Sequence, residues 1–357
     1  MNRSMSKLKS LAAAFACMAS LSPLTGCDVH EFPEVTTPVE TKAPLTITLD
    51  FDTEMPLYKE VLQAKPRSGN TANAYDTRHM ISVHRLFANG NYDRTADTIV
   101  TFSCDDVNNL NCSREITLPQ GNYNLFVWTD FVNEGSLADK FYKTSDFAEI
   151  ILSDRNNHTG CCDYRDGFRG LQQASINVDS YNEVTVEMKR PMAKFKFIST
   201  DYADFVETML KMEALKKNKE LTSSSDAPAD SRTINPDDYT VIFRYSGFMP
   251  CSYNMFTDKP ADSWTGVSFN GALIPTGPNE VELGFDYVFV NGSEATVAVR
   301  LEVYNKDNEL VASSNTINVP LKRSRLTIIK GSFLTSIAGG GVGINPSFDG
   351  QYNIEII

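Results

Sequence analysis

Short segments that alternate apolar and polar residues recur along most of the chain, and they constrain its fold more than any other feature. LTITLDFD at 45–52 and ATVAVRLEVYN at 295–305 are clear cases. Successive side chains of a β-strand point to opposite faces of a sheet, so this alternation is typical of strands with one buried face. Turn signals such as Asn291-Gly292 separate the segments, which predicts an all-β protein built from antiparallel sandwiches. The predicted strands are 45–52, 80–88, 97–104, 116–132 with a turn at 119–121, 147–153, 174–178, 183–189, 192–200, 239–246, 281–291, 295–305, 309–321 and 326–335.

One segment has helical spacing instead. Between residues 203 and 219, apolar side chains recur every three or four positions, and lysines gather towards the end, where the helix dipole favours positive charge. Asp201 lies just ahead and is expected to contribute to the N-cap. The Ser-, Pro- and Asp-rich stretch 222–236 that follows is predicted to be a loop. The apolar positions of the helix are Phe205, Met209, Met212 and Leu215.

The N-terminus has the pattern of a bacterial lipoprotein signal. Positive residues at positions 3, 7 and 9 precede a short apolar run, and LTGC at 24–27 matches a lipobox. We predict that residues 1–26 are a signal peptide cleaved between Gly26 and Cys27, and that Cys27 becomes the lipid-carrying, palmitate-labelled first residue of the mature protein. The alternative is an ordinary signal peptide cut near residue 19 or 20. No other stretch is apolar enough to span a bilayer, so lipid is predicted to be the only membrane anchor.

Behind the lipobox, the sequence divides into a tether and two predicted domains. Residues 27–44 are acidic and rich in Pro and Thr without periodicity, which predicts an extended tether. The β segments suffice for two domains, which we place at 45–191 and 192–357. Loss of residues 1–26 removes three positive charges and no negative ones, so the formal net charge moves from −12 to −15. Such an acidic chain is not expected to bind nucleic acid or to adhere to anionic membranes by charge.

Five cysteines lie in the predicted mature chain beyond its first residue, and in an exported protein disulfides are expected. Cys104 and Cys112 bracket an Asn- and Asp-rich loop, so they are candidates to pair. Cys161 and Cys162 are adjacent in a second loop, and one of them could pair with a cysteine of the first loop instead. Cys251 is the odd thiol and is expected to be buried. Neither loop has CxxC spacing, so a four-thiolate zinc site is not favoured and we predict no metal site.

No motif in the sequence argues for catalysis. A His-x-x-x-His pair, a GxSxG elbow and a phosphate-binding glycine pattern are all absent from the sequence. His79 and His84 are five positions apart on a predicted strand and are therefore expected on opposite faces. The best cation-binding candidate is the Asp-x-Asn-x-His-x-Gly loop at 154–160, but histidine is a poor calcium ligand, so a surface turn is favoured. We therefore predict a non-enzyme without a cofactor.

Aromatic residues concentrate between residues 239 and 269, where the segment 249–271 is long for a hairpin loop. Most of these rings are expected to anchor the core or the loop. A second interpretation places Tyr253, Phe256 or Trp264 on an exposed loop that faces a ligand such as a glycan.

Several segments resemble the fimbrillin-like lipoproteins of Bacteroides-type bacteria, a superfamily that includes pilin subunits and the anchor proteins of minor fimbriae. Because one fold supports many functions, this resemblance informs the fold better than the function. The segments are the lipobox with its acidic tether CDVHEFPEV, LPQGNYNLFVWTDF at 118–131, VEMKRPMAKFKFISTD at 186–201, and VPLKRSRLTIIKGSFLT at 319–335 with the terminal INPSFDGQYNIEI at 344–356.

The resemblance implies two tandem transthyretin-like β-sandwich domains, with one short helix early in the second domain, on the outer membrane at the cell surface. In polymerising members of the superfamily, a terminal strand of one subunit completes the open sandwich of the next by strand addition. The alternative is that the C-terminal segment pairs within its own domain. The apolar residues of that segment are Ile344, Phe348, Tyr352, Ile354 and Ile356.

These features lead to the hypothesis of a non-catalytic surface lipoprotein, an anchor or accessory component of a fimbria-like adhesive structure. A lipid on Cys27 would hold the N-terminal end, which favours an anchor or base over a shaft subunit. The expected partners are the membrane, through the N-terminal lipid, and fimbrial subunits or a surface ligand. The alternative hypothesis is a surface lipoprotein that binds a glycan or a host ligand.

Overall fold

β-Strands form most of the folded chain in the computed structural model, as the alternation predicts. The structure describes residues 40–52, 75–104, 112–220, 233–336 and 352–357. The predicted signal peptide, Cys27 and nearly all of the predicted tether lie outside these residues. Contacts within the chain separate Met1–Glu40 from Thr41–Ile357, which forms one compact unit. The described residues contain no helix that is long and apolar enough to cross a membrane.

Within the described residues, the structure has 23 strands and one α-helix, and most boundaries agree with the predicted segments to within a few residues. The helix α1 is Tyr202–Glu220. In chain order the strands are β1 Lys42–Phe51, β2 Tyr75–Arg85, β3 Thr98–Cys104, β4 Cys112–Pro119, β5 Gly121–Asn133, β6 Tyr142–Lys143, β7 Ile150–Leu152, β8 Phe168–Ile176, β9 Asn182–Met188, β10 Met192–Ser199, β11 Tyr239–Tyr245, β12 Met249–Pro250, β13 Ser252–Asn254, β14 Lys259–Pro260, β15 Ser263–Trp264, β16 Ser268–Ala272, β17 Ile274–Pro275, β18 Val281–Phe289, β19 Glu294–Asn305, β20 Leu310–Ser313, β21 Ile317–Lys322, β22 Leu326–Gly331 and β23 Tyr352–Ile356.

Two sheets from the first half of the chain enclose the smaller of two hydrophobic cores. One sheet has the strand order β4-β1-β9 and the other β3-β2-β5-β8. Ile47 of β1, Ile81 of β2 and Val127 of β5 are fully buried and belong to this core. Two sheets whose inner faces share one apolar core form a β-sandwich, which we call the first sandwich.

The strand β5 is buried on both faces. Tyr123, Leu125 and Val127, which share one face, belong to the smaller core. Phe126 and Trp128 point the other way and belong to the larger core. The near-continuous apolar run LFVW is typical of a strand covered on both sides. β5 therefore contributes side chains to both cores.

The larger core lies mainly between two sheets from the second half of the chain. Their strand orders are β17-β18-β10-β22-β23 and β16-β11-β19-β20, with β21 also paired to β19. Aromatic side chains fill the space between them: the rings of Phe197 and Phe243 are 5.6 Å apart, and Phe243 stacks on Phe269 at 4.6 Å. These sheets form the second sandwich.

Two strand pairs are parallel, whereas the sequence predicts antiparallel sandwiches. β1 runs parallel to β9, and β10 runs parallel to β22. Parallel neighbours cannot be joined by a hairpin and need a crossover connection. In both pairs this connection is long, since more than 100 residues separate the two strands. All other strand pairs among the described residues are antiparallel.

The helix α1 is where the spacing predicts it, but of its side chains that the structure describes, up to residue 216, only those in the first half pack on the core. Phe205 and Met209 are buried, and the Phe205 ring lies 5.2 Å from that of Tyr239. Met212 is 44% exposed and Leu215 is 66% exposed. The apolar spacing therefore continues beyond the part of the helix that packs on the larger core.

Asp201 acts differently from the predicted N-cap residue. Its carboxylate accepts hydrogen bonds from the backbone N–H groups of Leu334 and Thr335, at 3.2 and 2.8 Å. The hydroxyl of Thr335 also donates to it, at 2.7 Å. The Asp201 carboxylate thus fastens the segment after β22 to the start of the helix.

The segment 309–321, predicted as one strand, is two strands, β20 and β21, on either side of a break. Ser314 lies in the break, and its hydroxyl oxygen accepts a hydrogen bond from the Leu301 N–H at 3.0 Å. The Ser314 hydroxyl is therefore the acceptor for the Leu301 N–H, in the place of a backbone carbonyl of the neighbouring strand. Ser313-Ser314-Asn315-Thr316 has no apolar side chain to continue the buried face.

A small sheet of order β14-β13-β7-β6 connects the two halves of the chain. Among the described residues, its β7–β13 pair is the one strand ladder that joins strands β1–β9 to strands β10–β23. The larger core also takes in Tyr142, Ile150 and Leu152 from the first half. The division into domains 45–191 and 192–357 stays a prediction.

Candidate functional site

The C-terminal strand β23 forms one edge of the second sandwich. It pairs antiparallel with β22, with Ile354 opposite Ile329 and Ile356 opposite Thr327. Ile357 and Leu326 exchange two further backbone hydrogen bonds, of 2.9 and 3.0 Å. The last segment of the chain therefore pairs within the same chain, which is the alternative that the sequence left open. Two residues of the predicted strand-addition segment, Ile344 and Phe348, lie outside the described residues, and Tyr352 is described by its backbone pairing.

The apolar side chains of β23 stay accessible although the strands opposite them are buried. Ile354 is 39% exposed and Ile356 is 44% exposed, while Ile329 is fully buried. Ile356 also lines a groove of about 300 Å³, together with residues from the start of β19 and the end of β21. On the outer side of β23, the described residues form no further ladder. An exposed apolar edge strand beside a groove is a template for pairing with another chain. The other groove residues are Glu294, Ala295, Thr296, Pro320, Leu321 and Lys322.

The aromatic residues predicted to face a ligand are mostly packed inside. Tyr253 is fully buried, its ring stacks on Phe289 at 5.4 Å, and its hydroxyl donates to the Asp258 carboxylate. This position corrects the ligand-facing interpretation of Tyr253, because the small sheet folds the segment 252–254 onto β7. Phe256 is partly buried, with its ring 4.8 Å from that of Phe126.

Trp264 is also partly buried and packs against the larger core. The exposed aromatic residue of this region is Phe248, at 74% exposure. It lies in the turn between β11 and β12, where the sequence offers no signal that separates it from its buried neighbours.

The predicted cysteine pair of the first loop is brought together. The sulfur atoms of Cys104 and Cys112 lie 2.6 Å apart, at the end of β3 and the start of β4. The disulfide between them stays a prediction. Cys161 and Cys162 are both partly buried, and burial raises the pKa of the Cys162 thiol. Cys251 is buried as predicted, and burial raises its pKa to about 12.

His79 and His84 face opposite sides of β2, as their spacing predicts. The His79 ring lies 5.1 Å from Phe102 in the first sandwich, and the His84 ring lies 5.2 Å from Phe126 in the larger core. Burial lowers the pKa of His79 to about 4, so its imidazole is neutral at pH 7.

A buried charged cluster that sequence reasoning missed centres on Asp286 of β18. Its carboxylate accepts hydrogen bonds from the Tyr245 hydroxyl at 2.8 Å and from the Arg165 guanidinium, and it lies 2.7 Å from His158 Nε2. Burial opposes ionisation of Asp286, but the charges of Arg165 and His158 outweigh burial and hold its pKa below its ordinary value. His158, predicted to lie in a surface turn, is therefore buried. Asp154, four residues earlier, accepts hydrogen bonds from two backbone N–H groups of that turn.

The Arg-Pro-Met-Ala-Lys segment at 190–194, which leads into β10, supplies a second buried charge cluster. Arg190 is fully buried, and its Nε lies 2.8 and 3.0 Å from the two carboxylate oxygens of Asp166. Lys194 donates to Asp163 at 2.5 Å and sits 4.0 Å from the centre of the Phe285 ring. Both cations therefore bind the turn at 163–166, which explains why the segment needs an arginine and a lysine at this spacing.

None of the curated proteins matches this chain. Among solved structures, the fimbrial anchor protein Mfa2 from Porphyromonas gingivalis is similar, with 12% identity, coverage of 88% of this chain and 97% of that chain, and a TM-score of 0.39. A candidate cell adhesion protein from Bacteroides eggerthii has 15% identity, coverage of 88% and 95%, and a TM-score of 0.43. A candidate polysaccharide binding protein from Bacteroides thetaiotaomicron has 13% identity, coverage of 81% and 91%, and a TM-score of 0.43.

A family model, described as a family of unknown function, DUF6562, matches residues 36–356. The match includes both sandwiches and β23. The chain therefore belongs to the DUF6562 family.

Proposed function

We propose that this protein is a non-catalytic lipoprotein, held at the outer membrane through Cys27, that serves as an anchor or accessory component of a fimbria-like adhesive structure. The lipobox at 24–27 and the acidic tether at 27–44 support the lipid anchor. The sequence resemblance to fimbrillin-like lipoproteins supports the fimbrial role. The lack of any catalytic motif in the sequence supports a binding function.

The observation that carries the proposal is the edge strand β23. It lies at the C-terminal end of the chain, whereas the predicted lipid is at the N-terminal end of the mature protein. Its isoleucines are more than a third exposed, and Ile356 borders a groove. A partner strand could pair with the outer side of β23 or take its place on β22, and in both cases backbone hydrogen bonds would supply affinity.

The alternative, a glycan- or host-ligand-binding surface lipoprotein, has less support. It depended on Tyr253, Phe256 and Trp264, and the first of these is fully buried while the other two are partly buried. A carbohydrate platform needs exposed aromatic faces. These rings instead pack in or against the larger core.

Cys27→Ser should abolish lipidation. Because the thiol accepts the diacylglyceryl group, the serine variant is expected to remain an unprocessed precursor that incorporates no labelled palmitate. Labelling of cells followed by immunoprecipitation measures this. Cys17→Ser is the matched control, since Cys17 lies in the predicted apolar run of the signal, and it should label normally. Normal labelling of Cys27→Ser would refute the anchor.

Charges placed on β23 should prevent recovery of a fimbrial partner. Ile354→Asp with Ile356→Asp would put carboxylates on the apolar side of the edge strand, so a pilin-like subunit that pairs there should no longer co-purify from detergent-solubilised membranes. Glu355→Gln, on the other face of β23, is the control and should retain the subunit. Equal recovery with the charged variant, or absence of any pilin-like subunit with the parent protein, would contradict the fimbrial role.

A further inference from the structure

Three side chains with metal-binding atoms meet at one end of the first sandwich. His79 of β2, Cys104 of β3 and Cys112 of β4 each offer a ligand atom, and these atoms all lie within 4.8 Å of one another. The register explains the meeting. Cys104 is directly opposite Thr77, two residues from His79 on the same face of the sheet, and Cys112 is opposite Leu49, a residue of the smaller core. Strands from both sheets of the sandwich therefore converge on one point.

His79 has an unsatisfied nitrogen at this point. Its side chain is fully buried, and its Nδ1 lies 2.9 Å from the Thr129 hydroxyl. Its Nε2 has no hydrogen-bond partner among the residues that the structure describes, and neither has the buried hydroxyl of Thr77. A buried polar group without a partner destabilises the folded state. A ligand that accepts the Nε2 lone pair would remove this cost.

We propose that His79, Cys104 and Cys112 bind a zinc ion when the two cysteines are reduced. Two thiolates and a neutral imidazole balance the charge of Zn²⁺, so the loaded site carries no net charge and suits a partly buried position. A three-ligand Cys₂His set leaves the fourth tetrahedral position to water. Thr129 orients the imidazole through Nδ1, as partners outside the ligand set commonly do for metal-binding histidines.

The same two cysteines are the pair for which the sequence predicts a disulfide, and zinc and that disulfide would exclude each other. A dithiol reductant converts the Cys104–Cys112 disulfide into two thiols and is itself oxidised to a disulfide. Zinc binding then releases one proton from each thiol as the two sulfur–metal bonds form. Both states cross-link β3 of one sheet to β4 of the other.

The test uses the full chain with Cys17→Ser and Cys27→Ser, which removes the two N-terminal thiols. After dithiol reduction and anaerobic removal of the reductant, calorimetric titration should show one equivalent of Zn²⁺ bound, and Co²⁺ should give thiolate-to-cobalt charge-transfer absorption. Cys104→Ser and Cys112→Ser should each abolish the charge-transfer band of the parent. His79→Gln should weaken binding on the order of 100-fold, and Thr129→Val about tenfold. The oxidised chain should bind no zinc at this site.

Two matched controls separate this site from general effects. His84→Gln changes a buried histidine on the opposite face of β2, where it bonds Ser82 and the Asp93 carbonyl, and should leave zinc binding unchanged. Cys161→Ser should also bind normally. Thermal unfolding without metal checks that each variant is folded, and Thr129→Val provides a second readout if His79→Gln does not fold.

Four results would overturn the proposal. The first is no saturable zinc binding by the reduced chain, and the second is undiminished binding by His79→Gln. The third is equal binding by the Cys104→Ser, Cys112→Ser double variant, which would assign the metal to other thiols. The fourth is retention of copper(I) without zinc binding.

Discussion

Asp286→Ala should lower the free energy of unfolding by about 3–5 kcal/mol, because it leaves a buried guanidinium without its counter-ion. Arg165 is buried, and its remaining hydrogen bond to the Thr159 carbonyl does not neutralise its charge. Tyr245 would also lose the acceptor for its hydroxyl. Urea unfolding followed by the fluorescence of the buried Trp128 measures the change.

The control for this variant is Glu280→Ala, just before β18. Glu280 and Lys330 form an ion pair of 3.5 Å in which both side chains are more than 40% exposed. Such a surface pair contributes about 0–1 kcal/mol. A loss for Asp286→Ala no larger than that of the control would mean that the buried cluster does not stabilise the fold.

The Asp286 cluster should also make stability depend on acid pH. Its pKa is lower in the folded protein than its ordinary value of 3.8, so the carboxylate contributes stability above that value. This contribution is lost as the pH falls through the folded pKa. Between about pH 5 and pH 2, the parent should therefore lose more stability than Asp286→Asn does. Parallel pH profiles of the two proteins would contradict this assignment.

Arg190→Met should be comparably damaging, at about 3–5 kcal/mol, because Asp166 would remain as a buried carboxylate without its arginine. The guanidinium of Arg190 also lies 4.6 Å from the centre of the Phe168 ring and donates to the Asp52 carbonyl at 3.2 Å. Arg190→Lys should restore little, since a lysine cannot reproduce the planar guanidinium contacts. Urea unfolding again measures the change.

Two further variants decide what the Arg190 result means. Lys189→Met removes a neighbouring cation whose pair with Glu187 is more than 60% exposed on both sides, and it should cost about 0–1 kcal/mol. Arg190→Met combined with Asp166→Leu replaces the whole buried pair by apolar side chains and should recover most of the lost stability. A double variant as unstable as the single one would show that the pair itself, and not an orphaned carboxylate, carries the effect.

Local pattern predicts the longer strands and the helix, but it does not predict the short strands β12–β16, which fall in the segment 249–271 that the sequence analysis treats as a long loop. β1, β11 and β19 alternate because one face of each is buried, and Asn291-Gly292 makes the predicted turn, with Gly292 at a φ of 74°. Partner choice was not predictable, since the parallel pairs β1–β9 and β10–β22 depend on contacts between distant segments. The exposure of Leu215 was not predictable either. The spacing of apolar residues shows which face of a helix is apolar, but it does not show how many turns of that face pack on the core.

In the candidate sites, too, features that depend on nearby residues were predictable, and features that depend on contacts between distant segments were not. Cys104 and Cys112 are close in sequence, and the loop between them made their meeting predictable. His79 has no sequence relation to these cysteines and reaches them through the register of β2 and β3. His158 and Asp286 are 128 positions apart, so no motif could join them. Nothing in the sequence around Tyr253 distinguishes a buried tyrosine from an exposed one, because its burial depends on tertiary packing.

The direction of β1 has a mechanical consequence. In the arrangement that we propose, with a lipid at the N-terminal end and a partner at β23, tension would enter β1 at Lys42 and leave β9 at Met188. Because the two strands are parallel, that tension slides one along the other and loads all seven paired positions from Leu45 to Phe51 at once. An antiparallel hairpin pulled from its open end would instead unzip one pair at a time. The β10–β22 pair has the same geometry, so each sandwich places a shear-loaded ladder in the path of the force, where resistance is governed by the rate of unfolding.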